Sequence, residues 1–370
     1  MKRARARQGG FTMMELMIGL VISTLVVGLI LSIGMRVSLA YRGQQQVAGV
    51  QQMLTAARAA IEADAKQAGM HISQGFTVAN TGTQLHAPVQ VIDSSTGPDQ
   101  LALFYADPAA QAAIPTSASV ATATSADFDN VAGFAAQDLV VLSTPDLIST
   151  QNPLAPGIDA PIATFAACAL RISSIAGNRV SFVTAAPFGS ASNNHCATPV
   201  KGKTMMYKLV ARAYRIDPAR QADGVLQVSA TGQLSSASDW EDIGIGFVDL
   251  QVATRFFDND NVDTPDVDTD PKREWYSGAM QQTLSATQVG PLVPPIEISI
   301  SLVARTDRDV DGPGTASTPA LRDAARPDHG SVGNRDAIAL PSATDARLRG
   351  NRIYRWTTFG VDLRNMGVGR

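Results

Sequence analysis

Glu15 is the residue whose position most demands chemistry. It stands four residues after Phe11 and directly before Leu16–Met35, a run of twenty residues without one charge. A carboxylate at membrane depth costs on the order of 3 kcal/mol unless something neutralises it. It can snorkel among headgroups at the membrane edge, or it can meet a cation. A cut between Gly10 and Phe11 would supply that cation. Phe11 would then carry a free amine, and Glu15 of one subunit could pair with that amine on a neighbour.

The elements around Glu15 follow from length and flanks. Leu16–Met35 makes a helix of about 30 Å, enough to cross the hydrocarbon core of a bilayer. Lys2, Arg3, Arg5 and Arg7 precede it with no acid among them, and Arg36 follows it. The basic end stays cytoplasmic, so the rest of the chain lies outside the cytoplasm. A secretory signal peptide would have a shorter run and a small-residue cleavage site after it. The helical pattern then continues, with Val47, Val50, Leu54, Ala57, Ile61 and Ala68 on one face and Gln45, Gln52, Arg58, Glu62 and Lys66 on the remainder. Gly69 is the expected stop. A helix from Phe11 to Ala68 would be about 85 Å long.

Beyond Met70 the period changes to that of strands. Gln100–Tyr105, Asp138–Ser143, Leu170–Ile175 and Arg179–Thr184 read as short strands, the last two forming a hairpin. Met205–Ile216, Val225–Val228, Ile245–Phe257, Ile296–Arg305 and Arg352–Leu363 read as longer ones. Ala109–Ala126 and Pro313–Ala343 read as irregular, the first because Ala, Ser and Thr dominate it. The fold class expected is α+β: one long N-terminal helix, half transmembrane and half amphipathic, packed on a β-rich antiparallel head.

The stretch Arg7-Gln-Gly-Gly-Phe-Thr-Met-Met-Glu-Leu-Met-Ile-Gly-Leu-Val resembles the N-terminal signature of type IV prepilins and type II secretion pseudopilins. The resemblance implies a basic leader ending in glycine, cleavage by a prepilin peptidase between Gly10 and Phe11, N-methylation of Phe11, and an assembly role for Glu15 at the fifth mature position. Loss of the leader's four cations would move the formal charge from -3 to -7. Further along, Leu54–Met70, Ile245–Phe256, Ile298–Thr306 and Tyr354–Asn365 are similar in order and type to segments of PilW-type minor pilins. The J-type pseudopilin of type II secretion is the second resemblance. The long Ala/Ser/Thr-rich insertions depart from both.

The division this implies is a cleaved leader over 1–10, a transmembrane and assembly helix over 11–36, its amphipathic continuation over 37–70, and an extracytoplasmic head over 71–370. The partners implied are the prepilin peptidase, other minor and major pilins, and the inner membrane before assembly, with the head in the periplasm and then in a pilus or at the cell surface. An adhesin or ligand-binding domain on a membrane anchor is the competing reading from another class.

Other reactive residues are few. Cys168 and Cys196 are the two cysteines, and an even count outside the cytoplasm favours a disulfide across the hairpin region. His195 next to Cys196 makes a poor nucleophilic pair, since no orienting acid is evident. Asp258-Asn-Asp-Asn-Val-Asp-Thr-Pro-Asp-Val-Asp-Thr-Asp holds six acids and no cation, a set of oxygen ligands suited to Ca²⁺, with Asp258, Asp260 and Asp263 leading. Asp307, Asp309 and Asp311 followed by Gly312 match the first half of a calcium loop, but Thr318 stands where the bidentate glutamate belongs. Solvated acidic loops remain the alternative for both, and no cofactor is required by the rest of the chain. The net charge of -3 and pI near 5.8 argue against nucleic acid as a partner. Gly244-Ile-Gly-Phe-Val-Asp lacks the third glycine of a phosphate loop, and no nucleophile elbow or zinc-binding helix is present, so an enzyme is not expected.

Overall fold

The computed structural model describes residues 12–72, 76–78, 85–92, 94, 97–144, 148–149, 162–163, 166–184, 199–220, 223–232, 239–256, 275–276, 295–306 and 353–365. Its first element is α1 (Met13–Gln67), 55 residues and about 82 Å of continuous helix. Seventeen strands follow among the described residues. They are β1 (Phe76–Val78), β2 (Leu85–His86), β3 (Val89–Ile92), β4 (Gln100–Ala113), β5 (Ser125–Asp127), β6 (Leu139–Thr144), β7 (Ile148–Ser149), β8 (Ile162–Ala163) and β9 (Ala166–Ala176). The remainder are β10 (Arg179–Thr184), β11 (Met205–Ile216), β12 (Val225–Ser229), β13 (Trp240–Ile245), β14 (Phe247–Phe256), β15 (Trp275–Tyr276), β16 (Pro295–Arg305) and β17 (Tyr354–Asp362). The architecture is α+β, one long helix on an antiparallel head, and among the described residues β1 and β9 make the one parallel contact.

The larger sheet is organised by β11. One of its edges pairs with β4 along nearly its whole length; the other pairs first with β6 and then with β12. The ladder continues from β12 to β13 and from β6 to β9, whose far edge takes β1 and the hairpin partner β10. The smaller sheet runs β15-β14-β16-β17, all antiparallel. Gly246 is the crossover between the two sheets. It sits between β13 and β14 at φ +100°, and its carbonyl accepts from Arg305 N–H at 2.8 Å. A β-carbon there would stand 2.9 Å from the Arg305 carbonyl oxygen, so the backbones meet only because the residue is glycine.

Alternation decides where the core sits. Along β14 and β16, Leu250, Val252, Ile298, Ile300 and Leu302 face the helix, and β17 adds Phe359 and Val361. Leu101 and Leu103 of β4 and Tyr214 and Ile216 of β11 close the other wall. The helix contributes Val50, Leu54, Ala57, Ile61, Ala65 and Ala68 to that core, the face that periodicity picks out. Val47, at the end of the stripe, is half-buried. A second core lies past the helix end, where Ala112, Ile114, Phe128, Leu142, Leu170, Ile172, Val180 and Met206 pack together.

Two sequence expectations change. Ala109–Ala126 is irregular only over 114–124: β4 runs on to Ala113 and Ala126 sits in β5, while Ile114 and Ala118 between them are buried. The physical reason is size. Alanines fit the tight second core, and polar neighbours supply the backbone partners that a loop would take from water. The Asp127 carboxylate, for instance, accepts from Ser119 Oγ at 2.6 Å and from Val120 N–H at 2.8 Å. The strand expected over Ile245–Phe257 divides at Gly246 into the end of β13 and the whole of β14, which belong to different sheets. Pro313–Ala343 lies outside the described residues.

Candidate functional site

Helix α1 begins with a reciprocal cap. Thr12 is extended (φ -74°, ψ 149°), and its hydroxyl oxygen accepts from Glu15 N–H at 3.2 Å. The Glu15 carboxylate accepts in return from Thr12 N–H and from the Thr12 hydroxyl, each at 3.1 Å. Two amide groups that the first turn leaves without partners are thereby satisfied. The acid also sits at the positive end of the helix dipole. Within one chain, then, Glu15 is held by the residue next to Phe11. Gly10 and Phe11 lie outside the described residues. The Thr-x-x-Glu spacing is the signal that could have found this cap, which sequence reasoning missed.

The helix then leaves the head. No residue from Met13 to Arg42 is buried, and the apolar side chains from Met13 to Met35 stand exposed all round. Such a surface needs lipid or other helices to cover it. Two of its hydroxyls are paired within the helix: Ser23 Oγ donates to the Gly19 carbonyl at 2.7 Å, and Thr24 Oγ1 lies 2.9 Å from the Val21 carbonyl. Self-satisfied hydroxyls are what a helix in lipid requires. Among the described residues this is the one helix long and apolar enough to cross a membrane.

Residues 5–31 match the prokaryotic N-terminal methylation motif. The matched residues take in Arg5 and Arg7, the cap at Thr12 and Glu15, and most of the exposed apolar segment. No curated protein matches the chain. Among solved structures the chain is similar to a type IV-like pilin from Thermus thermophilus, at TM-score 0.35 and 10% identity, covering 85% of this chain and 97% of that one.

At the other end of the helix a second polar cluster forms, one that sequence reasoning missed. Asp64 Oδ1 accepts from Tyr105 Oη of β4 at 3.1 Å, and Asp64 Oδ2 accepts from Tyr214 Oη of β11 at 2.5 Å. Arg212 of β11 brings its Nε to 3.9 Å from the same carboxylate. Burial, then the neighbouring Asp64 charge, pushes the Tyr105 phenol up to about 12. Burial and the hydrogen bond to Asp64 raise Tyr214 as well. The only signal in the sequence was an acid three residues after Ile61, at the border of an apolar stripe.

Of the remaining sequence candidates, Cys168 is among the described residues and is disulfide-bonded. Cys168 is buried in β9, opposite Leu142 of β6 and Thr77 of β1. Cys196 and His195 lie outside the described residues, as do Asp258, Asp260, Asp263, Asp307, Asp309 and Asp311. Among the described residues no three His, Cys, Asp or Glu side chains stand close enough to share a metal ion.

Proposed function

We propose that the chain is a minor, PilW-type subunit of a type IV pilus, made as a prepilin, cut between Gly10 and Phe11, methylated on Phe11 and taken from the inner membrane into a fibre. One observation carries this reading: the methylation motif opens a helix whose apolar half touches nothing of its own chain. In the membrane lipid covers that half; in a fibre the helices of neighbouring pilins do. Glu15 then exchanges its contact with Thr12 for the Phe11 amine of a neighbour, and two charges that would be costly in an apolar bundle neutralise each other. The head remains in the periplasm until assembly and helps prime it near the tip, with Cys168 and Cys196 joined as a disulfide.

The experiment is mass spectrometry of the mature N-terminus, from membranes and from sheared surface fibres, with and without the prepilin peptidase. Methylated Phe11 in the fibre fraction is the expected result. Methylated Phe11 confined to membranes would move the chain to the type II secretion pseudopilins. An intact Met1, or a cut elsewhere, would overturn the reading and leave a membrane-anchored β domain.

A further inference from the structure

The polar cluster at Asp64 joins the helix to a ribbon that serves two cores. Strands β4 and β11 form a ribbon paired from Leu101 opposite Tyr214 to Ala113 opposite Met205. One end of the ribbon lines the helix core through Leu101, Leu103, Tyr214 and Ile216. Its other end lines the second core, through Ala112 and Met206. Tyr105 and Arg212, two of the three groups that face Asp64, lie in the middle of this ribbon.

The covalent path from helix to ribbon is one short turn. The helix ends at Gln67, Ala68 has left helical geometry (φ -50°, ψ 134°), and Gly69 is left-handed at φ +80°. Gly69 N–H donates to the Phe104 carbonyl at 2.9 Å, and Ala106 N–H donates to the Met70 carbonyl at 3.0 Å. Those two bonds pin the chain after the helix, and Ala68 N–H, shared between the Asp64 and Ala65 carbonyls at 3.1 Å, ties the turn to α1. On the helix side of that turn, the buried residues nearest Asp64 are Ile61, Ala65 and Ala68, and the two alanines interlock with the sheet less than long side chains would.

We propose that Asp64 is the latch that fixes the azimuth of α1 on the β4–β11 ribbon, so that the setting of the helix is passed to the lobe beyond its end. The carboxylate reaches two tyrosines four residues apart in register, which defines a direction that a single hydrogen bond would not. The inference stands whether or not the chain enters a fibre, because it concerns the helix and head of one molecule.

The test uses the full chain in detergent micelles, with spin labels on p-acetylphenylalanine introduced at Ala59 of the helix and Val183 of β10. Both positions are exposed. The unaltered chain is expected to give one narrow distance peak. Asp64→Ala, and separately the double change Tyr105→Phe with Tyr214→Phe, should lose that peak to a broader or second population while hydrogen exchange in β9 and β10 stays as slow as before. A peak that stays narrow in Asp64→Ala would overturn the latch and assign the azimuth to the apolar stripe. Broadening accompanied by fast exchange throughout the head would also overturn it, since Asp64 would then act on stability alone.

Discussion

The side-chain amide of Asn365 donates to the backbone carbonyl of Lys66 at 2.9 Å, joining residues 299 apart in the chain. The last four carbonyls of a helix have no partner within it, and here the residue three past β17 supplies one. The same strand holds α1 a second time, for the Arg58 guanidinium lies 5.1 Å from the centre of the Phe359 ring. The closing strand therefore both completes the smaller sheet and ends the helix. Asn365→Ala should lower stability by about 1 kcal/mol. Asn365→Asp should lower it more, because it also sets a negative charge against the negative end of the helix. Urea unfolding of the two variants in micelles checks the order; equal midpoints would show that water replaces the amide.

Asp99 should be among the residues whose loss the head tolerates least. It is 1% exposed, and its carboxylate accepts from Ser94 N–H at 3.0 Å and from Val252 N–H at 2.9 Å. Its own N–H donates to the Leu250 carbonyl at 2.8 Å, so one residue ties the turn before β4 to the middle of β14. Asp99→Ala leaves buried N–H groups without partners and should cost about 1–3 kcal/mol. Calorimetry would show a lowered unfolding temperature, and an unchanged one would mean that the turn re-pairs.

Alkaline pH should loosen the helix from the head. The Tyr105 phenol has a folded pKa of about 12 against an ordinary value of 10.0, so the folded state holds the proton more tightly than the unfolded chain does. The stabilisation is therefore complete below pH 10 and is lost as pH rises through about 12. Tyr214 is shifted in the same direction. Unfolding midpoints followed from pH 8 to 12 should fall in that window, and Tyr105→Phe together with Tyr214→Phe should flatten the fall.

Gly224 should not accept a side chain. It is left-handed at φ +67°, and a β-carbon there would lie 2.2 Å from the Phe247 carbonyl oxygen. Its carbonyl accepts from Gly246 N–H at 2.7 Å and from Phe247 N–H at 2.8 Å, which holds the crossover between the sheets. Gly224→Ala adds left-handed strain to that clash and should cost roughly 2–3 kcal/mol. Gly177→Ala, left-handed at φ +61° but with no atom within 4 Å of its β-carbon, is the control and should pay the strain alone.

Thr12 and Glu15 should separate folding of the helix start from use of the acid. Thr12→Ala removes the cap, worth about 1 kcal/mol, and should speed hydrogen exchange over the first turn. On the proposed reading, Glu15→Ala should leave cleavage after Gly10 intact and abolish recovery of the chain in sheared fibres. Fibres that still contain the Glu15→Ala chain would remove Glu15 from assembly.

The sequence by itself determined whatever depends on near neighbours. Twenty uncharged residues specify a helix of membrane length; Val50, Leu54, Ala57 and Ile61 specify which face of its continuation is buried. The β11 strand, Met205–Ile216, was legible residue for residue, since apolar residues fill it between Lys208, Arg212 and Arg215. So was the hairpin turn at Gly177 and Asn178. The tertiary structure decided whatever depends on residues far apart. Ala109–Ala126 has a loop's composition, and it is ordered only because β6, β9 and β10 offer a core tight enough for alanine. The split at Gly246 was invisible because the residues on its two sides have the same strand character, while their partners, β12 and β16, lie in different sheets. Asp64 shows the limit most plainly. An acid beside an apolar stripe reads as a solvated edge until Tyr105, Tyr214 and Arg212 arrive from 41, 150 and 148 residues away to surround it. Periodicity records which way a side chain points on its own element; only packing of the elements decides what it meets there.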